Sequence, residues 1–446
     1  MADLVQAVSD WLWGPPLLIS FLGTGIYLAV RLRAVQVTQF RSALRSISVH
    51  AEADAEGDIS PFAALMTAVG GIVGNGNIAG VATAITAGGP GALLWMWVSG
   101  IVGMGTMFAE SVLGVRYRVK GTDGLFVGGP MYYLRDRLGW PRVATFFAFG
   151  LAAKTMFATT SVQANSIASV VASEVGLNPW LTCLLVAIVT AGAVVGGVRS
   201  IAKVSEVLAP VMGALYLGGA AVVIGLSWDA FPGALALVFE HAFTPAAASG
   251  GFLGAGVREA FRFGVARGVY SNEAGTGSVP IAHASARTND PVRQGKLAML
   301  GVFLDTMVVS SATGLVLLSS GVWTSGLDST ALMARAFSQG LGQTGAVVVL
   351  ISSVLFGIST LISWALYGEQ CAAYLWGPSV RRTYRILYCT AILGGALGEA
   401  RVIWAWGDFF NGVMAIPNLI ALLALGGELA GMLQTQRGAV RQARES

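Results

Sequence analysis

The sequence predicts an all-α membrane protein of eleven transmembrane helices: one extra N-terminal helix, then ten arranged as a five-plus-five inverted repeat. Three observations predict this. The chain is 55% hydrophobic and only 11% charged, where soluble domains carry roughly 25% charged residues. Lysine and arginine cluster after alternate apolar stretches. Two of those stretches are interrupted at mid-span by glycine and polar residues, where a helix in hydrocarbon is least able to break.

A span needs roughly 20 apolar residues, and the eleven candidate stretches are 11–32, 62–85, 92–115, 143–171, 180–196, 201–226, 255–286, 295–321, 345–376, 386–397 and 402–433. The fifth and tenth are short. Asp3 and Asp10 precede or open the first run without any basic residue, so it is expected to stay as a helix rather than be cleaved as a signal peptide. Basic clusters follow the odd-numbered spans: Arg33, Arg41 and Arg45, then Arg116, Arg118, Lys120, Arg135, Arg137 and Arg142, then Arg199 with Lys203. Arg287, Arg293 and Lys296, then Arg381, Arg382 and Arg385, then Arg437, Arg441 and Arg444 continue the pattern. The positive-inside rule then puts the N-terminus outside and the C-terminus in the cytoplasm. Arg258, Arg335 and Arg401 are exceptions, but a register of ten or twelve spans would scramble the alternation. The expected organisation is an extra helix and basic linker (1–60), a first five-helix repeat (61–226), an extracellular connection (227–254), a second five-helix repeat (255–436) and a cytoplasmic tail (437–446). The first repeat opens with a broken helix entering from the cytoplasm and the second with one entering from outside, which makes the repeat inverted.

Several function classes drop out. The net charge of +4 comes from loops between apolar segments, so nucleic acid is not an expected partner. Cys183, Cys371 and Cys389 sit in apolar helices without metal spacing and read as small core residues, with no disulfide framework. His50, His241 and His283 are scattered, and there is no His–Glu metal spacing, Walker loop or serine elbow with a histidine partner. No enzyme is expected, and without a nucleotide motif, transport should draw on an ion gradient. A non-transporting amino-acid sensor is disfavoured by the lack of a soluble output domain.

The two breaks are the candidate site. Gly74-Asn75-Gly76-Asn77 supplies flexible backbone and two amides at mid-span. Freed N–H groups suit a carboxylate and freed carbonyls a cation. Glycine alone would serve close helix packing, and the two asparagines turn the reading toward a site. The second break, Ser271-Asn272-Glu273-Ala274-Gly275-Thr276-Gly277-Ser278, holds a carboxylate at membrane depth, costly unless paired or wet. Glu273 can coordinate a cation, titrate, or hold the unwound backbone through neighbouring N–H groups; holding is favoured. In the fourth span Gln163 can donate and accept, so it suits an amino acid's ammonium or carboxylate. Lys154 lies nine residues earlier, on the opposite face of a regular helix, and is expected to snorkel toward the cytoplasm. In the ninth span Ser359, Thr360 and Ser363 either hold a small hard cation or bond back to the preceding turn. Trp364, one turn beyond Thr360, is either a lid over a small substrate or plain core.

Long strings resemble one family. Gly76-Asn77-Ile78-Ala79-Gly80-Val81-Ala82-Thr83-Ala84-Ile85, then Gly88-Gly89-Pro90-Gly91-Ala92 and Trp95-Met96-Trp97, are similar to the signature of the alanine or glycine:cation symporters. So are Gly129-Pro130-Met131-Tyr132-Tyr133, Ser271-Asn272-Glu273-Ala274-Gly275 with Pro280-Ile281-Ala282-His283-Ala284, and Trp364-Ala365-Leu366-Tyr367-Gly368-Glu369. The resemblance runs over nearly the whole chain. It implies a leucine-transporter-like core from spans two to eleven, and sodium-coupled uptake of small neutral amino acids such as alanine or glycine. It further implies a substrate pocket using Gly74, Asn75, Gly76, Asn77, Gln163, Ser271, Asn272, Gly275 and Trp364. The implied sodium site joins backbone near the first break to Ser359 and Thr360, with Ser363. The core needs no partner subunit to complete these sites. Proton coupling through Glu273 or Asp305 is the alternative. One departure stands out: the family commonly has Gly-Thr-Gly-Asn where this chain has Gly74-Asn75-Gly76-Asn77. If Asn75 points into the pocket it changes substrate preference; if it points toward the ion it changes coupling.

Overall fold

The computed structural model describes residues 8, 11–48, 54–243, 256–397 and 400–445. Residues 244–255, which include the end of the expected connection and the start of the second broken stretch, lie outside that set, as do Asp3, Asp10 and His50.

Helices occupy all eleven expected stretches. They are α1 (Pro15–Arg31), the pair α2 (Pro61–Ile72) and α3 (Gly76–Gly88), α4 (Ala92–Arg116), α5 (Pro141–Val175), α6 (Pro179–Val194) and α7 (Gly197–Leu226). An unexpected helix, α8 (Phe231–Phe243), lies in the connection. Then follow α9 (Val257–Asn272) and α10 (Pro280–Ala284), α11 (Pro291–Ser320), a second unexpected helix α12 (Ser329–Leu341), α13 (Gln343–Trp376), α14 (Arg381–Ala391) and α15 (Ala400–Glu445). Among the described residues six helices are long and apolar enough to cross a membrane, and seven when the α2/α3 pair counts as one bent span. The fifth and tenth stretches hold short helices, α6 with 16 residues and α14 with 11, and α1, with 17, is short as well. A two-stranded hairpin, β1 (Val119–Lys120) and β2 (Phe126–Val127), sits after α4.

Local sequence sets the starts. Ser60, Asn178 and Asp290 each stand directly before a proline, and each side chain accepts a backbone N–H of the first turn. Proline loses nothing at that position, because its missing N–H would be unpaired there. In the bundle α9 and α11 pack along α4, and α7 packs on α2 and α13. The α4–α9 approach depends on Gly268: a Cβ there would stand 2.2 Å from Ser99 Oγ. Most buried apolar side chains form one continuous core, and a smaller cluster seats α1 on α9 and α15.

On the side where the basic loops gather, Arg118 ties both halves together. Its guanidinium donates to the carbonyls of Ala284 (3.0 Å), Ala286, Glu56 (2.7 Å) and Thr288 (2.8 Å). The segment leading into α2 and the segment leaving α10 are thereby fixed to each other. Nearby, Asp58 accepts the Phe126 N–H at 2.7 Å; burial raises its carboxyl above the usual carboxylate range, and that bond opposes the shift.

Candidate functional site

The first break bends the α2/α3 pair by 50°. Val73 leaves helical geometry with ψ 97°. The Gly74 N–H, which a continuous helix would direct to Gly70, donates instead to Asn77 Oδ1 at 2.9 Å. The helix then restarts as a wide π turn over Gly76–Gly80. The second break runs from Glu273, in the left-handed region at φ 56°, through Gly275 and Gly277, also at positive φ. Asn272 Oδ1 caps it by accepting the Ala274 N–H at 3.0 Å.

A cavity lies between the breaks, lined by Gly71, Ile72, Gly74 and Gly76 on one side and Tyr270, Ser271 and Glu273 on the other. Gln163, Thr159, Val162 and Lys154 of α5 and Thr360 and Trp364 of α13 complete it. At about 30 Å³ it takes only a water-sized occupant as it stands. Of the residues expected at the substrate, Gly74, Gly76, Gln163, Ser271 and Trp364 line this cavity together.

The others sit behind it. Asn75 turns away toward α5 and α13, donating to Gln163 Oε1 (3.2 Å) and accepting from Ser353 Oγ (2.6 Å). Asn77 donates to Asp305 Oδ1 (2.7 Å) and to Ser310 Oγ (3.1 Å). Asn272 donates to Thr306 Oγ1 at 3.1 Å. Gly275 faces Phe21 and Leu419, and its carbonyl accepts from Asn418 at 2.9 Å. Asp305 is fully buried, and its donors are the neutral Asn77, Ser271 (3.0 Å) and Thr306 (2.8 Å). It therefore joins the two breaks.

On α13, Ser359, Thr360 and Ser363 face the first break. A Cβ built on Gly70 would stand 2.6 Å from Ser359 Oγ and 3.1 Å from Ser363 Oγ, and one on Gly74 2.5 Å from Thr360 Oγ1. All three hydroxyls, with the Tyr367 phenol, are buried without a hydrogen-bond partner among the described residues. Of the two alternatives, back-bonding to the preceding turn is not made. Trp364 is neither a free lid nor plain core: its indole N–H donates to the Gly71 carbonyl at 2.9 Å, just before the break.

Lys154 corrects the sequence reading. It does not snorkel: it is 3% exposed, and its ammonium donates to both Glu273 oxygens at 3.1 Å and to Asn411 Oδ1 at 2.8 Å. The ammonium also lies 4.0 Å from the centre of the Trp364 ring. The physical reason is a π segment over Lys154–Thr159. Its wide turn takes up about one extra residue, so α5 does not keep the 100° step that put Lys154 opposite Gln163. Glu273 holds the second break, but through side chains rather than neighbouring N–H groups: it also accepts from Thr276 (2.8 Å) and Ser278 (3.2 Å). Breaking such a buried pair by removing one partner typically costs about 3–5 kcal/mol. Sequence reasoning also missed Glu110, which is fully buried, accepts the Gly277 N–H at 3.0 Å and pairs with Asn418. A lone carboxylate inside an apolar span was the available signal.

Broken helices meeting at a polar cavity inside an all-helical bundle are the arrangement in which secondary transporters hold their substrates. The chain matches the sodium:alanine symporter family over residues 1–445 and belongs to it. It is 42% identical to the sodium/alanine symporter AgcS of Methanococcus maripaludis, with 95% of each chain covered. It is 41% identical to an uncharacterized transporter of Haemophilus influenzae, over 95% of this chain and 93% of that one. Among solved structures it is similar to MhsT in complex with L-phenylalanine, with TM-score 0.62 and 14% identity, covering 83% of this chain and 89% of that one. That similarity establishes a leucine-transporter-like fold.

Proposed function

We propose that this protein is a sodium-coupled symporter that imports small neutral amino acids such as alanine and glycine by alternating access. The reading includes eleven spans, the inverted repeat of spans two to eleven, an outside N-terminus and a cytoplasmic C-terminus. The observation that carries it is the row of hydroxyls, Ser359, Thr360 and Ser363, unpartnered among the described residues and set against Gly70 in the last turn of α2 and Gly74 at the break. An unpaired buried hydroxyl is costly, and hard oxygen donors converging on loosened carbonyls suit a small hard cation. Sodium bound there orders the first break. The amino-acid carboxylate then meets freed N–H groups, and its ammonium meets carbonyls and the polar side chains of Gln163 and Ser271. The small cavity and its neutral net lining favour a small, uncharged side chain. Occupancy by both ligands favours rocking of the bundle toward the inward-open state.

Proton coupling through Asp305 is the second reading, favoured by a buried carboxylate whose donors are all neutral. Glu273 is less suited, because Lys154 already neutralises it. The test is uptake of radiolabelled alanine and glycine into proteoliposomes, with an inward sodium gradient against an equal potassium gradient. Uptake only with sodium is expected. Sodium-independent uptake that collapses with the pH gradient would select the proton reading. No uptake of either amino acid would overturn the substrate class.

A further inference from the structure

The cavity lining contains one cation and one anion, Lys154 and Glu273, and they are bonded to each other. Resting on the reading of this cavity as the amino-acid pocket, we propose that this pair sets the pocket's selectivity for uncharged side chains. The Lys154 ammonium is a tethered occupant of a site built for a primary ammonium group. It denies that site to cationic amino acids and cancels the Glu273 charge.

Three groups converge on the ammonium. Glu273 offers both carboxylate oxygens at 3.1 Å, Asn411 offers Oδ1 at 2.8 Å, and the face of Trp364 closes over it at 4.0 Å. Carboxylate, amide oxygen and indole face are the groups that recognise an alkylammonium.

Two of these partners are held in place without Lys154. Glu273 is fixed by Thr276 and Ser278 and by its own left-handed backbone. Trp364 is fixed by its bond to the Gly71 carbonyl. The third partner, Asn411, presents its oxygen to Lys154 while its own Nδ2 is buried without a partner among the described residues. The pair lies in the same lining as Gly71, Gly74 and Ser271, so it is within reach of whatever those residues hold.

Truncation of Lys154 then leaves an anionic, aromatic-walled cage opening onto the pocket. A substrate that carries its own ammonium at the right length restores the lost pairing. Removal of the Glu273 charge leaves the reverse: a buried ammonium that recruits a carboxylate.

The experiment compares full-length wild type, Lys154→Ala and Glu273→Gln in detergent. The readout is ligand-induced thermal stabilisation, backed by competition against radiolabelled alanine. The probes are alanine, aspartate, and α,ω-diamino acids from 2,3-diaminopropionate to lysine. Wild type is expected to favour alanine over both charged classes. Lys154→Ala should bind at least one diamino acid about tenfold or more tighter than wild type does, with a chain-length optimum, and Glu273→Gln should gain for aspartate. Folded variants that rank the charged probes as wild type does would overturn the proposal. Should Lys154→Ala be recovered only unfolded, purification with ethylammonium decides: recovery of folded protein supports the cage, and no recovery overturns it. Alanine binding by wild type is read separately. Its failure would count against the substrate class, while the charge arms still report against whichever neutral amino acid binds.

Discussion

Replacing Ser359 by alanine and Thr360 by valine should move stability in opposite directions with and without sodium. Both hydroxyls are buried and unpartnered beside Gly70 and Gly74. A buried polar group left without a partner costs about 1–3 kcal/mol. Valine keeps the volume of threonine while removing its oxygen, and alanine removes one oxygen from serine. Without sodium, each substitution should therefore leave the protein as stable as before or more stable, by up to that amount. With sodium the order reverses. A ligand bound only to the folded state adds about 2.7 kcal/mol when present at a hundredfold its Kd, and the double variant should lose that increment with its two oxygen donors. The assay is unfolding of purified protein in sodium chloride and in choline chloride, with uptake in proteoliposomes alongside. A double variant that is destabilised in choline yet keeps its full sodium increment would refute the reasoning, because the hydroxyls would then be packing groups and not ion ligands.

Two further outcomes follow from the same geometry. Asn75→Thr removes the amide that donates to Gln163 and accepts from Ser353; a hydrogen bond is worth about 0.5–1.5 kcal/mol net, so competition profiles across neutral amino acids should shift by up to about tenfold through the freed Gln163. An unchanged profile would show that Asn75 does not tune the pocket. Arg118→Ala strips four carbonyls of their shared donor; hydrogen exchange should rise across both the segment at 54–60 and the segment at 284–288, whereas exchange rising in one alone would contradict the clamp.

The first break was legible because glycine and asparagine interrupt an otherwise apolar run, and the second because the polar octet 271–278 stands between apolar segments at membrane depth. Gly74, Gly76, Gln163 and Ser271, which line one cavity, were legible as polar or backbone-exposing positions at mid-span, and Trp364 as the residue one turn beyond Thr360. Lys154 was misplaced because the sequence gives no mark of a π turn, and one wide turn is enough to bring a side chain round the helix. The roles of Asn75 and Asn77 were out of reach for a related reason. An asparagine at a break can face a ligand or brace the loop, and only the distances to Ser353, Gln163 and Asp305 separate the two. Glu110 differs again: its type and position were visible, but its meaning depends on Gly277 and Asn418, more than 150 residues away in sequence.

The same bracing residues make the two breaks a single mechanical unit. Gly74 N–H rests on Asn77 Oδ1, Asn77 Nδ2 rests on Asp305, and Asp305 accepts Ser271 Oγ of the second broken helix. At the proposed ion site, a cation drawing the Gly74 backbone toward Thr360 would change what Asn77 accepts, and through Asp305 that change would reach Ser271, which lines the pocket from the other side. The far ends of the two broken helices are tied again by Arg118, outside the cavity. Between these two ties, Lys154 joins α5 to α9, α13 and α15 through Glu273, Trp364 and Asn411. In the proposed alternating-access cycle, opening the cavity would separate these charged and fully bonded groups, a cost that ligand binding has to offset.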